Sequence, residues 1–260
     1  MPEGPTVNDP GWMVITGASS GIGAEMARLA AARGRPLVLV ARREERLRAL
    51  AAGLQVKTEI VALDLQAPEG AARLMEALDA RGIVPETLVN NAGFGLRGGF
   101  ATMPYDEQMA MVELNVATLT RLCRLALPGM IGRRRGGIVN VASMAAYQAI
   151  PFMAVYAATK AYVVSLSEAL HEEVRRHGVV VTAVCPGPTK TEFSQRANME
   201  KSKLFTTGAM SATDVARIGL DGHEKGRAVV ITGGRNHAMG IGSKLMPRAL
   251  SRRIAGWMQG

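Results

Sequence analysis

The chain has 260 residues, 48% of them hydrophobic and 20% charged, which suits one α/β domain with a large core. Its formal charge of +9 comes from basic residues dispersed along the chain outside any nucleic-acid-binding module, and aromatics at 4% are too sparse for base-stacking surfaces. Cys123 and Cys185 lie in apolar surroundings and read as reduced core thiols of a cytosolic protein, and the four histidines lack ligand spacing with acids or cysteines, so no metal site is expected.

Residues 1–11 are polar and rich in Pro and Gly, without a basic-then-apolar leader, and read as a flexible N-terminus. No apolar run reaches bilayer-crossing length. From Trp12 onward, short apolar runs alternate with longer helical patterns, which implies parallel βαβ units. Strands are expected at 12–16, 37–41, 57–63, 86–90, 137–142, 179–184 and 228–232, with helices near 21–33, 44–52, 69–81, 104–131 and 155–177. One domain is expected over 12–234.

The first strand runs into Thr16-Gly17-Ala18-Ser19-Ser20-Gly21-Ile22-Gly23 and then a helix. Glycines permit a sharp turn and close backbone approach, and a helix N-terminus offers free N–H groups to a phosphate. The spacing is G-x-x-x-G-x-G, different from the G-x-G-x-x-G fingerprint, so its place on the first βα turn carries the nucleotide reading. The second strand ends at Ala41 with Arg42 and Arg43 following, where an NAD site would carry an acid. Planar guanidinium groups there suit a 2′-phosphate, so the cofactor expected is NADPH/NADP+. The other reading is two charges at the start of a surface helix, whose Glu44 and Glu45 suit its first turn.

Asp64-Leu65 ends strand three, and Asn90-Asn91-Ala92-Gly93 ends strand four; ligands bind at such carboxyl ends in open parallel sheets. Asn115 interrupts a favourable helix, because its side chain competes for backbone hydrogen bonds. Ser143 closes strand five at the same edge. Tyr156 and Lys160 stand four apart on a helix and share a face. A tyrosine titrates near ~10, and a neighbouring ammonium favours its anion, so the pair is expected to form an acid/base with a lowered tyrosine. Taken alone, the same spacing also fits a half-buried helix face.

Joined in this order, Thr16 to Gly23, Asp64, Asn90 to Gly93, Asn115, Ser143, Tyr156-x-x-x-Lys160, Pro186-Gly187 and Thr191 make the chain resemble the short-chain dehydrogenase/reductase family, from Trp12 to Gly234. The resemblance implies a Rossmann-type doubly wound parallel sheet of about seven strands with helices on both faces. It implies a nicotinamide dinucleotide held by Gly17, Ser19, Ser20, Gly21, Ile22, Gly23, Asp64, Leu65, Asn91, Ala92, Gly93, Pro186, Gly187 and Thr191. The catalytic set it implies is Asn115, Ser143, Tyr156 and Lys160. Tyr156 exchanges the proton, Ser143 orients the substrate oxygen, Lys160 also binds the nicotinamide ribose, and Asn115 holds a relay water. Homodimers or tetramers are common in the family.

The function expected is interconversion of an apolar ketone or aldehyde and its alcohol. A 3-oxoacyl thioester reductase and a non-catalytic NADP-binding regulatory protein are the alternatives; the latter predicts damage to Ser143, Tyr156 or Lys160, all of which are intact. Residues 189–225 read as a substrate-loop insertion, equally a mobile lid or a packed helical pair over the sheet. Residues 235–260 form a basic tail. Within it Met246, Leu250, Ile254 and Met258 recur every four residues beside Lys244, Arg248 and Arg252, so an amphipathic helix is expected. Docking of that helix on protein is favoured over peripheral membrane contact.

Overall fold

The computed structural model describes residues 11–193 and 209–234. Among them, seven strands form one parallel sheet: β1 (Trp12–Thr16), β2 (Leu37–Ala41), β3 (Thr58–Ala62), β4 (Pro85–Asn90), β5 (Gly136–Val141), β6 (Val179–Cys185) and β9 (Val229–Ile231). Their order is β3-β2-β1-β4-β5-β6-β9, the Rossmann-type arrangement expected. The chain moves one way from β1 through β2 to β3, then returns to β1's other side with β4. That reversal opens a crevice at the carboxyl ends of β1 and β4.

Side chains alternate across each strand, and the central strands are buried on both faces, which is why β2 reads as an unbroken apolar run while edge strand β3 does not. Met13, Ile15, Leu37, Leu39, Val89 and Val139 meet α1 (Gly21–Ala32), α2 (Glu44–Ala52) and α7 (Ala212–Glu224). Val14, Val38, Val40, Leu88 and Ile138 meet α3 (Gly70–Asp79), α5 (Leu119–Arg133) and α6 (Ala154–Val174) on the other face. Each fully buried Leu, Ile or Met contributes about 1.5–3 kcal/mol. A third cluster, Phe94, Met111, Ile150, Met153, Tyr156 and Ala157, lies off the sheet. It is where the candidate chemistry sits.

One expectation is corrected and another is narrowed. The span 104–131 is not one helix: α4 (Tyr105–Val112) leads into a π segment, Glu113–Thr118, and then α5. Asn115 sits inside the wider turn, its side chain drawn to Phe94. Of the span 189–225, read as a mobile lid or as a packed helical pair over the sheet, residues 212–224 form a packed helix. β7 (Thr189–Lys190) pairs with β8 (Met210–Ser211), and α7 packs Val215, Ala216 and Leu220 into the core. The Ser211 hydroxyl caps α7 by accepting from Asp214 N at 3.0 Å. The lid reading thus does not extend to 212–224, and 194–208 lies outside the described residues, as do 1–10 and the tail 235–260. No helix among the described residues is long and apolar enough to cross a membrane.

Candidate active site

The Gly-rich turn is held against β4 by one threonine and one asparagine. Thr16 Oγ1 donates to Val89 O at 3.0 Å and accepts from Asn91 N and Ala92 N, both at 3.0 Å. The Asn91 amide donates to Thr16 O at 2.9 Å and Gly17 O at 3.1 Å. A Cβ on Gly17, whose φ is +66°, would come within 2.7 Å of Asn91 Nδ2, and one on Gly23 within 2.4 Å. Only glycine fits either place. The α1 N-terminus beyond the turn has no acidic residue in its first turn and no side-chain cap, so it presents N–H groups toward the crevice. These residues fit a dinucleotide's pyrophosphate.

The loops after β2 and β3 build a charged flank. Arg43 donates from Nη2 to Ser19 Oγ and Ser20 Oγ, each at 3.0 Å, and from Nη1 to Glu192 Oε2 at 3.0 Å. Arg46, one helical turn on, donates to the other oxygen of Glu192. These guanidinium groups hold the Glu192 carboxyl below its ordinary range, Arg46 more than Arg43. Arg42 points elsewhere, 3.8 Å from Asp64 Oδ2. Asp64 Oδ1 accepts from Gln66 N at 3.0 Å, and the carbonyl of buried Leu65 accepts from Thr118 Oγ1 at 2.9 Å, tying β3's end to the π segment.

Asn115, Ser143, Tyr156 and Lys160 converge at the opposite end. Ser143 Oγ accepts from Ala145 N at 3.1 Å and hydrogen-bonds the Tyr156 phenol. Pro186 O accepts from Met144 N at 2.8 Å, which brings the Pro186-Gly187 segment beside Ser143. Lys160 Nζ donates to Val141 O at 2.7 Å and lies 5.9 Å from the Tyr156 ring centroid. The Asn115 amide donates to Phe94 O at 2.9 Å and Thr159 Oγ1 at 3.2 Å, and accepts from Phe94 N at 3.1 Å. Its side chain therefore braces the turn after Gly93. A Cβ on Gly93 would lie 2.8 Å from Asn115 Oδ1 and 3.7 Å from Lys160 Nζ.

The electrostatics correct the expected lowering of Tyr156. Burial pushes its hydroxyl up to about 12, opposed by the Ser143 hydrogen bond. Burial likewise pushes Lys160 down to about 8. An ammonium already penalised by desolvation and directed at a main-chain carbonyl does not offset the phenol's own burial. Tyr156 is thus held as the acid, protonated at neutral pH.

Beside it opens a pocket lined by Leu96, Phe100, Met103, Met111, Phe152 and Val155. Phe152 has φ +64°, rare for an aromatic residue, and its carbonyl accepts from Gly98 N at 2.9 Å. The Phe193 ring lies 5.5 Å from that of Tyr156, and a Cβ on Gly95 would meet both rings within 2.9 Å. Arg46 and Glu192 are absent from the residues expected from sequence. Arg46 had a signal, since it follows Arg43 at helical spacing. Glu192 had none, being 146 residues from Arg46.

A parallel sheet with a glycine-turn nucleotide crevice and a buried Tyr-Lys pair beside a serine defines an oxidoreductase that binds a nicotinamide cofactor. The short chain dehydrogenase family model matches residues 11–202, and the chain belongs to that family. It is 33% identical over 237 residues to a very-long-chain 3-oxoacyl-CoA reductase of Mycosarcoma maydis, covering 88% of this chain and 67% of that protein. A short-chain dehydrogenase from Sphingobium yanoikuyae, solved with NADPH, superposes with a TM-score of 0.80 at 34% identity, over 91% of this chain and 95% of that one. A Burkholderia phymatum relative solved with NAD superposes at 0.79 and 28% identity, over 91% and 94%. Family alone thus leaves the choice of cofactor to this chain's own residues.

Proposed function

We propose that the protein is an NADPH-dependent reductase of a ketone carried on a large apolar group. The observation that carries this reading is the pairing of Arg43, held over the Gly-rich turn by Ser19 and Ser20, with an apolar pocket beside Tyr156. Arg43 and Arg46 suit a phosphate on the adenosine ribose. Arg42, paired with Asp64, is left a secondary role there.

The nicotinamide, when bound, supplies the hydride. Tyr156 donates its phenolic proton to the substrate oxygen as charge develops there, and Ser143 donates a hydrogen bond to the same oxygen. Lys160 binds the nicotinamide ribose and places positive charge near the tyrosinate left behind. Asn115 fixes Phe94 against α6 through Thr159. Exclusion of water by Met111, Met153 and Ile150 strengthens each of these interactions.

A 3-oxoacyl thioester is the specific substrate form favoured by the Mycosarcoma maydis relative's name and by the aromatic rim, where Phe100 and Phe152 are exposed. Self-association through α5 and α6 is supported by exposed Leu125 and Tyr162, and a cytoplasmic location by the buried, free Cys123 and Cys185. The test is NADPH consumption over a panel of short and long 3-oxoacyl thioesters, bulky ketones and small polar ketones. Preference for the long or bulky compounds is expected. Turnover confined to small polar ketones would overturn the apolar-substrate reading.

A further inference from the structure

Three consecutive residues lie across the crevice from end to end. Thr191 rests on the Gly-rich turn: a Cβ on Gly21 would meet its Cγ2 at 3.2 Å. Glu192 joins Arg43 and Arg46 through separate oxygens. Phe193 stands against the Tyr156 ring. The strap is anchored just before them, where Thr189 and Lys190 pair with Met210 and Ser211. Its middle residue places a carboxylate on the guanidinium pair to which a 2′-phosphate would be directed.

We propose that Glu192 sets cofactor discrimination by competing with the 2′-phosphate for Arg43 and Arg46, and that its displacement draws Phe193 away from Tyr156. This inference rests on the NADPH reading. A phosphate monoester carries about −1.5 to −2 charges and three acceptor oxygens, so it satisfies two guanidinium groups better than one carboxylate does. The ribose hydroxyls of NAD carry no charge with which to displace Glu192. Because residues 192 and 193 are adjacent, the exchange at the arginines acts on the substrate side of the crevice. Phosphate recognition and opening over Tyr156 become one event.

The probes are adenosine 2′,5′-bisphosphate and 5′-AMP, which differ in the 2′-phosphate and lack the nicotinamide. Their affinities are measured by calorimetry for the wild type and Glu192→Gln, and hydrogen exchange of the peptide containing 191–193 is followed with each. Glu192 is half exposed, so the variant removes charge with little effect on packing. Exposed ion pairs are modest, so a three- to tenfold gain in bisphosphate affinity is expected for Glu192→Gln, with 5′-AMP unchanged. In the wild type, the bisphosphate but not 5′-AMP should speed exchange at 191–193. If both proteins bind the two probes equally, the NADPH reading falls and this inference with it. If the wild type prefers the bisphosphate but Glu192→Gln binds it no tighter, the NADPH reading stands and the competition is refuted. Exchange at 191–193 unchanged by the bisphosphate refutes the coupling to Phe193.

Discussion

Tyr156 and Lys160 are 8% and 7% exposed, whereas Arg43, Arg46 and Glu192 keep 44%, 48% and 46% of their side-chain surface in solvent. The two groups occupy opposite ends of one crevice and obey different physics. At the tyrosine end, removal from water moves both ionisable groups, the phenol up and the amine down. At the arginine end, opposite charges meet in high dielectric, where each pair is weak and exchangeable. A reaction centre needs its protonation states fixed before substrate arrives. A recognition site for a diffusing anion needs charges that can trade partners.

The largest expected effect breaks the buried end. Tyr156→Phe retains the ring and its packing against Phe193 but removes the transferable proton, so turnover should fall by about 10²–10⁴ with the thermal midpoint little changed. Turnover within a few-fold of wild type, assayed on the best substrate of the panel, would remove Tyr156 from the proton transfer.

Lys160→Met sharpens the same contrast through stability. The folded-state value of about 8 lies below the ordinary 10.5. Below pH 8 the amine is charged in both states and burial costs the fold its full penalty, on the order of 3 kcal/mol. Between 8 and 10.5 the folded state releases the proton while the unfolded state keeps it, so wild-type stability rises with pH. The variant should therefore be more stable than wild type at pH 7, by a margin that narrows toward pH 10.5. Denaturant midpoints across that range check it, and a constant gap would show that Lys160 is not paying for its charge.

Arg43→Ala breaks the exposed end. It should weaken NADPH binding about 10- to 100-fold while leaving NADH within about twofold, and raised salt should reproduce part of the loss. Equal weakening of both cofactors would place Arg43 in the turn's architecture, through Ser19 and Ser20, instead of in phosphate recognition.

The smallest effect is expected at the rim. Phe152→Gly relieves a left-handed backbone worth about 1–2 kcal/mol, against a similar entropic loss from the added glycine. Stability should stay within about 1 kcal/mol of wild type, while KM for long apolar substrates rises several-fold. An unchanged KM would show that the ring does not touch the substrate.

The motif order was legible because each motif sits at the end of a strand whose apolar run was itself legible, and the parallel topology sends all those ends to one edge. The helix break was signalled by Asn115, but its form was not, because the partner that stabilises it, Phe94, is 21 residues away. The burial that opposes a lowered Tyr156 in the protein alone was hidden for a related reason. Helical spacing shows that a lysine is near but not how much apolar material covers both groups, and Phe94, Met111 and Ile150 come from three separate stretches. Glu192 was invisible because charge pairing across the fold has no period. Helix α7 lay within a span read as an insertion, although Val215, Ala216 and Leu220 already carried the pattern of a packed face.

The bridge made by Thr16 has a consequence for how the chain reaches its working form. Its hydroxyl joins the end of β1 to Asn91 and Ala92, 75 and 76 residues later, and the Asn91 amide returns to Gly17. The crevice is not complete until β1 has found β4, a closure that must span β2, β3 and their helices. During synthesis, the first two βα units emerge with β2 and Arg43 beside the glycine turn but without the Asn91 and Ala92 edge that closes its other side. Cofactor capture therefore reports that β1 and β4 have paired, and a nascent chain that stops short of β4 lacks one wall of the dinucleotide site.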